Sequence, residues 1–160
     1  MEIQHKYEVA VEWQGNRGTG TNDYKSYGRE HRVTAPGKPE IAGSADRAFR
    51  GNTERWNPEE LLLAALSQCH LLSYLHVAAS HGIVVTAYSD SATGVMEQTG
   101  NGGGHFVSAT LRPVVTIAPG DDPDAQLELA RNLHHEASEK CFIAASVNFP
   151  VLHEPAIQLS

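Results

Sequence analysis

The 160-residue chain has the size of one domain, and its 41% apolar and 19% charged residues supply a core while excluding a disordered tail. Its 19 acidic residues outweigh 12 basic ones, and the net charge of -7 argues against partners with phosphate backbones or anionic lipid surfaces. The first residues carry charges throughout and no apolar stretch, and the densest apolar run, Leu61 to Ala79, is interrupted by Ser67, Gln68, His70 and His76. Neither a secretory leader nor a membrane span is expected, and the expected setting is cytoplasmic.

In chain order, Ile3, His5, Tyr7, Val9, Val11 and Trp13 alternate with mainly polar residues, the period of a half-buried strand. A turn at Gly15–Gly18 leads to a second extended stretch over Tyr24–Val33. Glu40–Trp56 is polar and irregular, with Arg47, Arg50 and Arg55, and reads as a long loop. Asn57-Pro58-Glu59-Glu60 is a strong helix start: Asn caps, Pro suits the first turn, and the acids complement the positive end of the dipole. The helix is expected from Pro58 to about His81, stopping at Gly82, and its all-round apolar middle marks it as buried.

Ile83–Met96 and Phe106–Ala118 read as two long antiparallel strands joined by a glycine-rich loop. A second helix is expected from Pro123 or Asp124 to about Lys140, with Leu127, Ala130, Leu133 and Ala137 as its apolar stripe. Val147–Leu159 is a last extended segment. The order β-β-α-β-β-α-β predicts an α+β domain, with antiparallel sheets around a long buried central helix, over residues 1–160.

Two cysteines leave two readings open: inert buried thiols, or a reactive pair. Cys69 lies in mid-helix and Cys141 at a helix end; they form no CxxC, and a disulfide would need their Cα atoms within about 7 Å. His134 and His135 are adjacent on a helix and point about 100° apart, so they do not share a metal-binding face. The glycine stretches lack a Walker lysine, and no GxSxG elbow is present. No cofactor or metal is expected.

Residues 57–69, NPEELLLAALSQC, followed far downstream by Glu139-Lys140-Cys141, form a pattern that resembles the OsmC/Ohr family of osmotically inducible and organic hydroperoxide resistance proteins. The family writes it NPEELxxAAxxxC, with a second cysteine in HEKCP or GCP. Here Phe142 stands where that proline is usual, and Ser138 where the histidine is. The resemblance implies an OsmC-like fold, an intertwined homodimer, and thiol-dependent reduction of hydrophobic organic hydroperoxides. It implies Cys69 as the peroxidatic thiolate, Cys141 as the resolving thiol, and a dithiol reductant, a lipoyl protein in the family.

It also implies an arginine, held by Glu59, that favours the Cys69 thiolate. Arg50 is the first candidate, then Arg17, with Arg29 third. On a straight helix Glu59 and Cys69 stand roughly 15 Å apart along the axis and about 80° apart around it, so an arginine, a bend or a second subunit must link them. Phe49, Trp56, Tyr74 and Phe142 are candidates to line an apolar pocket. The alternative function on the same fold is a redox sensor or small-ligand binder with little turnover.

Overall fold

The computed structural model describes residues 2–160. The chain divides into two compact units, Met1–Leu62 and Leu63–Ser160. In the first, β1 (Ala10–Trp13), β2 (His31–Thr34) and β3 (Ile41–Gly43) form an antiparallel sheet in that order. The register pairs Trp13 with His31 and His31 with Gly43, where a Cβ would collide with the imidazole. The expected strands are shortened here. Strand β1 begins only at Ala10, Tyr24–Tyr27 lies in a turn, and Ile3, Tyr7, Val9 and Val11 are exposed where one half-buried face was expected.

The long loop is present and tied down. Its 3₁₀ turn (Arg47–Phe49) starts at Asp46, whose carboxylate accepts from the Ala48 N–H. Ser44 N–H donates to the Trp56 carbonyl and Trp56 N–H to that of Ala42, so the loop returns to β3.

Helix α1 (Pro58–Ser80) begins in the first unit and runs into the second. Its start is a reciprocal cap: Asn57 Oδ1 accepts from the Glu60 N–H at 2.8 Å, and Glu60 Oε2 accepts from the Asn57 N–H at 3.3 Å. It ends at Gly82, where φ of 75° lets Ile83 N–H reach back to the Ala78 carbonyl. With 23 residues and a mean hydropathy of 1.4, α1 is long and apolar enough to span a bilayer, despite its polar interruptions. The helix expected to be buried all round is buried on one face only, by Leu66, His70, Tyr74, Val77 and Ala78, while Leu72 and Leu75 stay exposed.

In the second unit each expected long strand is two. Chain order gives β4 (Val85–Asp90), β5 (Thr93–Gln98), β6 (Gly104–Leu111), β7 (Pro113–Ile117), α2 (Pro123–Glu139), β8 (Val151–His153) and β9 (Ala156–Leu159). They form two sheets, ordered β4-β7-β9 and β5-β6-β8. The sheets are mixed rather than antiparallel throughout, because β8 and β9 run parallel to β6 and β7. The breaks at Pro113 and Pro155 have a physical cause: proline has no N–H for the ladder. At the first corner Arg112 replaces the lost pairing, its N–H donating to Asp90 Oδ1 and its guanidinium to Thr93 Oγ1 and Glu154.

The core of this unit joins Tyr74, Val77 and Ala78 of α1 to Val115 and Ile117 of β7 and Ala130, Leu133 and Ala137 of α2. Burying each large apolar side chain is worth about 1.5–3 kcal/mol. This core fixes α1 against α2, and with them the positions of both cysteines.

Candidate functional site

Cys69 lies at the midpoint of α1, partly exposed, and Cys141 lies two residues past α2, 2% exposed. One turn beyond Cys69, Ser73 Oγ donates to the Lys140 carbonyl at 3.4 Å, joining α1 to the peptide that leads into Cys141. Cys69 is near enough to Cys141 to act on its titration. Burial first, then the neighbouring Cys69 side chain, push the Cys141 thiol up to about 11, against the opposing pull of the Ala144 and Ile143 N–H groups. Ala144 N–H lies 3.4 Å from the sulfur in the turn after α2. Cys141 therefore holds its proton at neutral pH.

A groove of about 650 Å³ opens on Cys69, lined by Leu72, Ser73, His76, Glu139, Lys140 and Phe142. Phe142 is 76% exposed, so the residue in the proline's place presents an aromatic ring. Of the four aromatics expected to line a pocket, only Phe142 lines this one. Tyr74 is fully buried in the core with its hydroxyl donating to the Ala130 carbonyl, because its ring belongs to the inward face of α1.

In the N-terminal unit a groove of about 310 Å³ is lined by Trp13, Tyr27, Arg29, His31, Asp46 and Glu59, among others. Glu59 Oε2 is buried there with no hydrogen-bond partner. Arg29 is held firmly: its guanidinium lies 4.4 Å from the Tyr24 ring centre and 4.1 Å from that of Tyr27, and donates to both of their carbonyls. Arg17 and Arg50 are exposed and do not line this groove. Arg50 closes the 3₁₀ turn with φ of 65°, the one non-glycine residue with positive φ among those described. The third candidate, Arg29, thus shares this groove with Glu59, with no hydrogen bond or ion pair between the two side chains. The sequence signal for this placement was faint: Tyr27 and Tyr24 stand two and five residues before Arg29.

Among the described residues no group of three or more His, Cys, Asp and Glu side chains is arranged to hold a metal ion.

Two helices on mixed three-stranded sheets, with one thiol on the first helix and a second just past the other, define the architecture of the OsmC-like proteins. The OsmC-like protein family model matches residues 51–154, and the chain belongs to this family. It is 30% identical to an OsmC-like protein of unknown function from Vibrio cholerae O1 biovar eltor, with a TM-score of 0.84 over 95% of this chain and 99% of that one. The fold is shared with an organic hydroperoxide resistance protein from Elizabethkingia anophelis (19% identity, TM-score 0.67, 99% and 100% of the two chains). It is shared too with the organic hydroperoxide resistance protein OsmC from Legionella pneumophila (20% identity, TM-score 0.66, 98% and 99%). No curated protein matches the chain.

Proposed function

We propose that this chain is a thiol-dependent peroxidase for hydrophobic organic hydroperoxides. The observation that carries the proposal is the pairing of a groove-facing Cys69 with a buried, protonated Cys141. The Cys69 thiolate attacks the O–O bond of ROOH; that bond breaks, ROH leaves after taking up one proton, and Cys69 becomes a sulfenic acid. Cys141 then attacks the sulfenic sulfur, an S–S bond forms and water departs with the thiol proton. A dithiol, in the family a lipoyl protein, restores both thiols by exchange and leaves as a disulfide. The apolar wall of Leu72 and Phe142 suits an alkyl or acyl chain.

An arginine fork held by Glu59 supplies the charge that favours the Cys69 thiolate. Arg29 fits this role better than Arg50 or Arg17, since it shares a groove with Glu59. To engage the unpartnered Glu59 Oε2, its fork must give up the Tyr24 and Tyr27 carbonyls. The two units work as one domain over residues 1–160. A homodimer would cover the exposed Ile3, Tyr7 and Val9 of the N-terminal arm and Leu72 and Leu75 of α1. The setting that suits a dithiol-recycled enzyme is the cytoplasm.

The exposed Phe142 favours a second reading, a redox sensor or small-ligand binder with little turnover. Steady-state consumption of cumene hydroperoxide against hydrogen peroxide, with dihydrolipoamide as reductant, separates the two. Multiple turnovers with preference for the organic peroxide support the enzyme; a single oxidation equivalent per chain, at any reductant level, supports the sensor.

A further inference from the structure

Three histidines far apart in the sequence meet inside the C-terminal unit. His70 of α1, next to Cys69, is fully buried, and His134 of α2 is 3% exposed. His70 Nε2 and His134 Nδ1 lie 2.9 Å apart and share one hydrogen. The His153 ring of β8 is 4.3 Å from that of His70, and His134 stacks on Tyr74 at 3.9 Å. The outer nitrogens, His70 Nδ1 and His134 Nε2, are buried without partners. With Ser73 to Lys140 and Tyr74 to Ala130, the histidine pair gives α1 three hydrogen bonds to the α2 segment. His81, just past Ser80, adds an exposed fourth to Glu136 at 2.9 Å, which acid does not break while the carboxylate stays ionised.

The shared hydrogen dictates the charge state. With both rings neutral, one N–H meets one lone pair. A first added proton buries an imidazolium, and a second sets N–H against N–H. The carboxylate acting on the cluster, Asp90 of β4, faces His153 and is already occupied, accepting from Ser67 Oγ at 2.5 Å and Arg112 N–H at 2.6 Å. His135 of α2 opposes any charge on His153, while the phenols of Tyr74 and Tyr88 stay neutral, burial pushing Tyr74 up to about 12. Burial, with repulsion from the neighbouring rings, draws His70 down to about 3 and His134 to about 4, and burial lowers His153 as well.

We propose that His70, His134 and His153 form an acid-released latch that closes α1 on α2 and keeps Cys141 shielded. In an opened or unfolded chain these imidazoles titrate near 6.5. The closed form therefore has its full stability above that pH. It loses stability as pH falls toward 4, because only the opened form takes up protons. Each histidine shifts the balance toward opening by about tenfold per pH unit in that window. The latch does not depend on Cys69 reacting with peroxide.

The test uses the full chain carrying Cys69→Ser, so that Cys141 is the only thiol. Its labelling by 4,4′-dithiodipyridine is compared with that of the urea-unfolded chain at each pH, which removes the ordinary fall in thiolate with acid. Protection of Cys141 should be flat above pH 7 and drop about 10- to 100-fold per unit between pH 6 and 4.5. His70→Gln and His134→Asn place a non-titrating amide near the two bonded nitrogens, and the double variant should reduce the drop to what His153 alone contributes. Circular dichroism at pH 7 reports whether it folds. Constant protection in the parent chain, or an unchanged drop in the folded double variant, overturns the proposal. If the variants do not fold, the imidazole Cε1–H resonances of the parent decide. Shifts that stay fixed in the closed protein down to pH 5 support the latch; titration of His70 and His134 near 6.5 without opening overturns it.

Discussion

The two compact units bury very different material. In the C-terminal unit the buried side chains include Leu66, Tyr74, Val77, Ile83, Leu111, Val115, Ile117 and Leu133, with His70 and His134 among them. In the N-terminal unit the buried residues are Gly15, Gly28, Gly43, Ser44 and Asn57, while Ile3, Tyr7, Val9, Val11 and Trp13 stay exposed. One unit has a core and holds the thiols. The other has close backbone approaches and a groove that holds Arg29 and Glu59. A sheet that buries so little apolar surface gains little stability by itself.

The largest expected effects fall on the thiols. Cys69→Ser should abolish consumption of cumene hydroperoxide, because a hydroxyl of ordinary pKa does not attack the O–O bond at neutral pH. Cys141→Ser should give one equivalent of oxidation and leave Cys69 as a sulfenic acid or mixed disulfide, detectable by mass. Normal cycling in either variant would remove that cysteine from the chemistry. Next comes the core contrast: Leu133→Ala, 4% exposed among helix and sheet, should cost about 2–5 kcal/mol in urea unfolding. Val11→Ala, 66% exposed, should stay within about 0.5 kcal/mol in the dilute chain. A larger loss at Val11 that grows with protein concentration would mean that a second copy covers β1 and supplies the missing core.

The same contrast governs what the sequence made legible. Helix α1 announced both of its ends, since Asn57, Pro58, Glu60 and Gly82 act within a few residues of the peptide groups they satisfy. Helix α2 likewise runs over Pro123–Glu139, capped by Asp122. The strand breaks were written as Pro113 and Pro155 but passed unread, because a continuous Val- and Thr-rich pattern outweighs one missing N–H. The parallel pairings of β8 and β9 depend on where distant segments dock, and no local period encodes that. For the site, the NPEEL motif marked Cys69 and Glu59, yet a motif on one helix does not say which arginine of a loop-rich region stands beside the glutamate. His70, His134 and His153 have no common spacing at all; only the packing of α1, α2 and β8 brings them together.

The arginines test whether the groove of Arg29 and Glu59 serves the thiol. Arg29→Ala should slow alkylation of Cys69 by iodoacetamide at pH 7, each unit of thiol pKa corresponding to about 1.4 kcal/mol. Glu59→Ala should act in the same direction but less, since it removes the partner and leaves the charge. Arg29→Lys should restore only part of the rate, because an ammonium lacks the planar fork. Arg17→Ala should change little. Slow alkylation in Arg17→Ala with a normal rate in Arg29→Ala would move the role to the first turn, and equal rates throughout would favour the sensor reading.

The smallest effect separates two explanations of Arg50. This residue ends the 3₁₀ turn in the left-handed region, at φ 65° and ψ 28°, with its N–H donating to the Arg47 carbonyl. A residue with a Cβ is strained there by about 1–2 kcal/mol relative to glycine. Gly51 cannot take over the strained position, since a Cβ at 51 would strike the Ala45 carbonyl and the two residues have different jobs in the turn. Strain of this kind persists either where a side chain has a function or where selection tolerates a small cost. If Arg50 is only the end of a turn, Arg50→Gly should raise the stability of the chain by about 1 kcal/mol in urea unfolding, offset in part by the greater freedom of the unfolded glycine. Cys69 alkylation should then match the parent. If Arg50 supplies the activating charge, Arg50→Gly should still stabilise the turn but slow alkylation, whereas Arg50→Ala would slow it with no gain in stability. A gain in stability together with unchanged alkylation leaves Arg29 as the arginine that acts with Glu59.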